Sequence, residues 1–159
     1  MNKMLRFLGA LVAVFGIIGL VVGIVVFYMA YDKQTWMTEA MRQEKVQVAA
    51  LGVKGFGPDQ IIDSAATAQS AADTVRAHRH SIAPTYSDLM AGGKYDPTNL
   101  KHLTYAQAMN LENYLYLGVL GFGVAQLAMG LGAFMVMTGL ALGAIGISMF
   151  RLASQLKAA

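Results

Sequence analysis

The sequence predicts an all-α membrane protein with two transmembrane helices, the second very long, and a small helical extracytoplasmic region between them. Three observations carry this. Of the 159 residues 56% are hydrophobic and only 13% are charged, against roughly 25% charged in an ordinary soluble domain. The deficit is local, because residues 7–31 and 113–150 contain no Lys, Arg, Asp or Glu. Strand signals are weak throughout, whereas the polar stretch between the two apolar runs is rich in helix formers.

Residues 1–6 (MNKMLR) form a basic tail before the first apolar run. A cleaved signal peptide has an apolar region of about 7–15 residues ending at small residues. Here the run lasts from residue 7 to 31 and Tyr28 precedes the late Ala30 by two positions, which favours an uncleaved anchor. At about 1.5 Å per residue, residues 7–31 make roughly 37 Å of helix, enough to cross a bilayer with some tilt. Asp32 and Lys33 end the run, and Tyr28, Tyr31 and Trp36 supply aromatic side chains suited to the membrane interface.

The polar region, residues 32–112, is too small to bury a large core of its own. The first helix is expected to continue through residues 32–50 and to break at Gly52. Gly52, Gly55 and Gly57 then make a loop around Phe56 that ends at Pro58. Pro58-Asp59 reads as a helix start, with Ile61, Ala65, Ala68, Ala72 and Val75 as its apolar stripe. Pro84 stops this helix, and residues 85–91 suit one short turn before Gly92-Gly93. Asp96-Pro97 reads as the start of the last helix, with a possible break at Leu103-Thr104.

Residues 113–150 would span roughly 57 Å as one helix, nearly twice the hydrocarbon thickness, so that its first turns would stand above the bilayer. A hairpin turning at Gly130-Leu131-Gly132 is the alternative. Gly118, Ala125, Gly132, Gly139 and Gly146 recur every seven residues straight through that point. No Pro, Asn, Asp or Ser near residue 130 would satisfy backbone groups freed by a turn in lipid. One helix is therefore expected, followed by a tail at 151–159. The first run repeats the pattern at Gly9, Gly16, Gly23 and Ala30. Matching heptad seams of small residues predict close antiparallel packing through Gly9, Gly16 and Gly23 against Gly132, Gly139 and Gly146. Gln126, polar within the second run, is expected to act as interhelical glue.

Lys3 and Arg6 flank one apolar run, and Arg151 and Lys157 flank the other. By the positive-inside rule both tails are cytoplasmic, residues 32–112 lie outside, and the protein sits in the plasma membrane as a multi-pass chain. The net charge of +3 is the balance of twelve basic and nine acidic residues, and the basic ones are scattered, which gives no footprint for nucleic acid. There is no cysteine, which excludes disulfides, thiolate metal sites and a cysteine nucleophile.

Candidate chemistry is sparse. His78, His80 and His102, with Asp73 or Glu112, are the residue types that ligate copper or zinc. Histidines two apart on a helix face different directions, and a histidine near a helix C-terminus also has a structural role. The methionines are dispersed, and Met37 and Met41 suit packing better than copper. Ser64, Ser70, Ser81 and Ser87 lack a nucleophile elbow, and the GVKGFG stretch at 52–57 follows no strand. No enzyme is predicted and no cofactor is required.

EKVQV at 44–48, the Gly55-Phe56-Gly57-Pro58 turn, the alanine-rich helix ending in histidine, PTYSDLM at 84–90 and FRLA at 150–153 form a wider pattern. With the glycine-rich anchors, it resembles a family of small actinobacterial-type two-pass membrane proteins of unknown function, often labelled ring-opening-dioxygenase-like. The resemblance implies a two-pass membrane protein. The label transfers no residues, since such an enzyme needs iron ligands, typically two His and a carboxylate. The expected function is a non-catalytic accessory subunit of a larger membrane complex, of the respiratory oxidase or copper membrane monooxygenase type, whose partners are other integral membrane subunits and the lipid bilayer. The alternatives are a copper-binding module using His78, His80 and His102, and a homo-oligomeric pore with Gln126 at a constriction.

Overall fold

The computed structural model describes residues 2–158. Helix α1 spans Asn2–Glu44, α2 Ala65–Ile82, α3 Tyr86–Met90 and α4 Leu100–Ala158, with a single 3-10 turn at Ala49–Leu51. No strand occurs among the described residues, and the one extended pairing is an isolated antiparallel bridge between Gln47 and Ile61. Both α1 and α4 are long and apolar enough to cross a membrane. Most of their apolar surface is exposed, with Phe7 at 67% and Phe134 at 62%; a core helix of a soluble protein would hide these side chains.

The chain forms two compact units, one of residues up to 33 together with those from 125 onward, the other of residues 34–124. In the first, apolar unit, α1 and α4 pack antiparallel along their small residues. A Cβ built on Gly146 would lie 2.7 Å from the Gly9 carbonyl oxygen, one on Gly139 2.7 Å from that of Gly16, and one on Gly132 2.8 Å from that of Gly23. Only glycine permits backbones to come this near. Gly9, Gly16, Gly23 and Ala30 are buried on one helix and Ala125, Gly132, Gly139, Gly146 and Ala153 on the other, while most of their chain neighbours are exposed and none is buried. A strict seven-residue seam implies a left-handed wrap of the pair. At one end the Arg6 guanidinium donates to Ser154 Oγ at 3.2 Å and lies 5.5 Å from the centre of the Phe150 ring.

In the polar unit, residues 34–44 of α1 lie beside α4 through Met37 and Met41. The Met41 methyl sits over Gly118 and the Met37 methyl over Gly121, so flexible thioethers fill the space that bare glycines leave. Helix α1 ends at Glu44, earlier than the expected break at Gly52, because Lys45 takes a left-handed conformation (φ 51°) and its N–H bonds to Arg42 O. The chain then closes a loop. Val48 N–H donates to Gln60 O at 2.8 Å and Ile62 N–H to Val46 O at 2.9 Å. Val48 and Ile62 are thereby buried with Ala68, Ala71, Ala72, Val75 and Leu115 in the main core.

Helix α2 starts at Ala65, not at Pro58-Asp59. Residues 60–62 are held in the bridge, and Ser64 supplies a capping box in which Thr67 N–H donates to Ser64 Oγ and Ser64 N–H donates to Thr67 Oγ1. Ile61 accordingly belongs to the bridge and not to the helical stripe, which is Ala68, Ala71, Ala72 and Val75. Helix α3 is capped by Thr85 and ends where Ala91 turns left-handed. It buries Leu89 against Ala83 and Tyr105.

Helix α4 begins at Leu100, three residues after Pro97. Asp96 is occupied in a turn, accepting from Thr98 N–H and Oγ1–H, and Asn99 Oδ1 caps the helix by accepting from Lys101 N–H. The helix is unbroken at 103–104 and at 130–132. Its 59 residues make roughly 88 Å.

Candidate functional site

The polar unit holds every side chain singled out for chemistry except Gln126. Its best-defined polar feature joins α2 to α4. Arg79 Nε donates to Glu112 Oε2 at 2.6 Å, a second guanidinium nitrogen donates to Glu112 Oε1 at 3.4 Å, and a third donates to Tyr105 Oη. The guanidinium also lies 5.0 Å from the centre of the Tyr105 ring. Both ends of the pair are largely removed from water, the side chains being 12% and 8% exposed. Hydrogen bonding to Glu112 holds the Arg79 proton more tightly than usual. Arg76 approaches the same carboxylate at 3.9 Å. One turn before Arg76 on α2, Asp73 accepts from the Gln69 amide at 3.0 Å and from Tyr116 Oη at 2.7 Å. These hydrogen bonds, from Gln69 first and Tyr116 second, hold its carboxyl below the usual range. The network is a fixed seam between helices, with each carboxylate satisfied by a protein donor.

The three histidines, which the alternative copper-binding reading would need side by side, have separate neighbours. His80 Nε2 meets the Arg79 guanidinium at 3.0 Å. His102 Nδ1 accepts from Asp96 N–H at 3.1 Å, and its ring stacks on Tyr95 with centres 5.8 Å apart. His78 stands beside Gly52, where an added Cβ would lie 3.3 Å from the imidazole Cε1. Two residues apart on α2, His78 and His80 diverge, and Asp73 and Glu112 are engaged elsewhere. Among the described residues no group of three or more His, Asp or Glu is placed to hold a metal ion.

His78 instead borders a groove of about 480 Å³ whose lining includes the 3-10 turn, α2 and α4. Thr104 and Gln107 lie on the same border, and Val75, Ala108 and Leu111 supply apolar surface. Gly52 is in the left-handed region (φ 81°), and its N–H caps the turn by donating to Ala49 O. A side chain there would be strained and would crowd His78.

The first turns of the run 113–150 pack within the polar unit. Leu115 belongs to the core of the polar unit and Tyr116 bonds α2. Gly118 and Gly121 face Met41 and Met37, on a stretch of α1 that also carries Glu39, Arg42 and Glu44. Residues 113–124 are thus level with charged α1 residues. Yet Tyr114 is 72%, Leu117 59% and Leu120 61% exposed. Gln126, expected between the helices, is exposed and directed away from the seam formed by Ala125 and Gly132. At 100° per residue, position 126 points well away from position 125.

Sequence reasoning missed the Arg79–Glu112–Tyr105 cluster as a unit. Its only signal was a lone glutamate directly before an uncharged run. No protein-family model, curated protein or solved structure matches the chain.

Proposed function

We propose that the protein is a non-catalytic accessory subunit of a larger membrane complex, held in the plasma membrane by the apolar unit, with both tails cytoplasmic and the polar unit outside. The observation that carries this reading is the outer face of α4 over residues 114–120. Tyr114, Leu117 and Leu120 are exposed at a level where α1 is charged, so lipid tails do not cover them. Large apolar side chains in such a place are characteristic of a surface used for association. At the start of the same helix, Leu100 is 75% exposed.

The orientation is supported by Lys3, Arg6, Arg151 and Lys157 near the two tails. The glycine seam supports an anchoring role, since it binds α1 to α4 within the chain and leaves bulky outward faces for lipid or neighbouring subunits. Extraction in mild detergent followed by native electrophoresis tests the proposal. Migration in an assembly well above 17.0 kDa plus detergent is expected, with photocrosslinks from positions 114 and 117 to a second polypeptide. Migration as a lone chain without crosslinks overturns it.

A further inference from the structure

We propose that a furrow along one side of the α1–α4 pair holds an acyl chain of an anionic phospholipid, with the lipid phosphate seated at Arg6 and Arg151. The proposal rests on the reading of both helices as membrane-spanning. Two grooves, of about 350 and 360 Å³, open between the helices of the apolar unit. Ile17 and Leu20 of α1 line the first, with Leu140, Ala144 and Ile147 of α4. Ile24 and Phe27 of α1 line the second, with Ala133 and Met137 of α4. On each helix these residues succeed one another at steps of three or four, so the grooves lie end to end on one side of the glycine seam. From residue 133 to 147 the furrow is roughly 21 Å long, more than one leaflet of a hydrocarbon core about 30 Å thick. Gly143 also lines it, and nothing stands within 4 Å of a Cβ built there. Within a bilayer such a space is filled by an acyl chain, because water is excluded.

The furrow ends among cations that lack a counter-charge. Arg6 and Arg151 stand eleven residues from Ile17 and Leu140 respectively, within about 20° of the same direction on each helix. Lys3 lies one turn before Arg6 and is exposed, as is Arg151. The hydrogen bond from Arg6 to Ser154 brings the two helix ends together. Arg6 Nε is buried and has no hydrogen-bond partner among the described residues. No Asp or Glu occurs in residues 1–31 or 113–159, and Asp32 lies at the far end of the apolar run. A lipid phosphate supplies both the missing charge and acceptors for guanidinium groups. The opposite side of the seam, through Leu5, Val12, Gly19 and Val26 of α1, carries no charge. Basic residues and furrow therefore coincide on one side.

The full chain, purified in a neutral detergent, is titrated with dioleoyl phosphatidylglycerol or dioleoyl phosphatidylcholine and read by native mass spectrometry. One phosphatidylglycerol per chain is expected, held about tenfold or more tightly than phosphatidylcholine. Arg6→Gln with Arg151→Gln should abolish that preference. Lys94→Gln with Lys101→Gln, an equal loss of charge from exposed positions of the polar unit, should leave it intact. Gly143→Leu places a side chain in the furrow and should weaken phosphatidylglycerol binding several-fold. Equal binding of the two lipids overturns the proposal. So does a preference that survives the double arginine variant or falls as far in the lysine pair, or binding unchanged in Gly143→Leu. Displacement by soluble glycerol 3-phosphate at matching concentration also overturns it, since the site would then hold phosphate without an acyl chain. Alkaline carbonate tests the premise separately: a chain stripped from membranes fails the membrane reading and the proposal with it, whereas a retained chain without the preference lacks only the lipid site.

Discussion

Replacing Gly139 by alanine would place a methyl group 2.5 Å from Leu20 N, 2.7 Å from Gly16 O and 3.0 Å from Leu20 Cα. All three neighbours are backbone atoms, so no rotamer change relieves the clash. The helices must part by roughly an ångström, and a radial gap of 0.5–1 Å already forfeits about a quarter to a half of each dispersion contact. Overpacking of this kind costs about 1–3 kcal/mol, offset by the helix preference of alanine over glycine, about 1 kcal/mol. Gly143 lies one turn away on the same helix, and nothing stands within 4 Å of a Cβ added there. Gly143→Ala keeps the preference without the clash. The two variants should therefore differ by about 2 kcal/mol, roughly thirty-fold in the packing equilibrium. The chain has no cysteine, so single cysteines at the exposed positions Ile17 and Leu140 accept a donor and an acceptor dye without background. Energy transfer followed through an SDS titration in mixed micelles gives the midpoint for each variant. Equal midpoints, or a higher midpoint for Gly139→Ala, would refute the argument that backbone contact at position 139 holds the pair.

Three further outcomes follow from the polar unit. Arg79→Leu leaves Glu112 buried without its main partner and should destabilise the unit by about 3–5 kcal/mol, while adding Glu112→Leu should restore most of that loss; thermal unfolding read from the single tryptophan, Trp36, checks both. Ser64→Ala removes the capping box of α2 and should cost about 1 kcal/mol in the same assay. Asp73 has its folded-state pKa depressed by Gln69 and Tyr116, so its contribution is present above the unfolded carboxylate value, about 3.9, and is lost as pH falls through the lower folded value. Acid should therefore loosen α2 from α4 below about pH 4, and Asp73→Asn should remove that part of the acid dependence, as seen by hydrogen exchange on α2.

The seven-residue phase of small residues was legible in the sequence because it serves a single contact that runs the length of the apolar unit. Gly9, Gly16 and Gly23 repeat one local requirement, and repetition is what a linear pattern can show. The start of α2 was not legible in the same way. Pro58-Asp59 has the chemistry of a helix start and of a turn alike, and the bridge between Gln47 and Ile61 that decides between them joins distant residues. Likewise, residues 113–124 carry no charge whether lipid or protein covers them. Only the contacts of Leu115 and Tyr116 with the core and α2 distinguish the two. Polarity alone points Gln126 to the seam, but its angular position one residue past Ala125 places it outside. The histidines shared a residue type and proximity in sequence, and each found a different neighbour once α2, α4 and the 3-10 turn were in place.

The seam also imposes an order on synthesis. Gly9 must wait for Gly146 and Gly23 for Gly132, partners more than a hundred residues later in the chain. At ribosomal speeds of about 5–20 residues per second, the first helix spends on the order of ten seconds with a naked glycine face. During that interval it is open to capture by any other helix bearing small residues. Fidelity of assembly thus rests on timing as much as on affinity, and a pause while residues 34–124 are being translated would lengthen the window in which a wrong pairing forms.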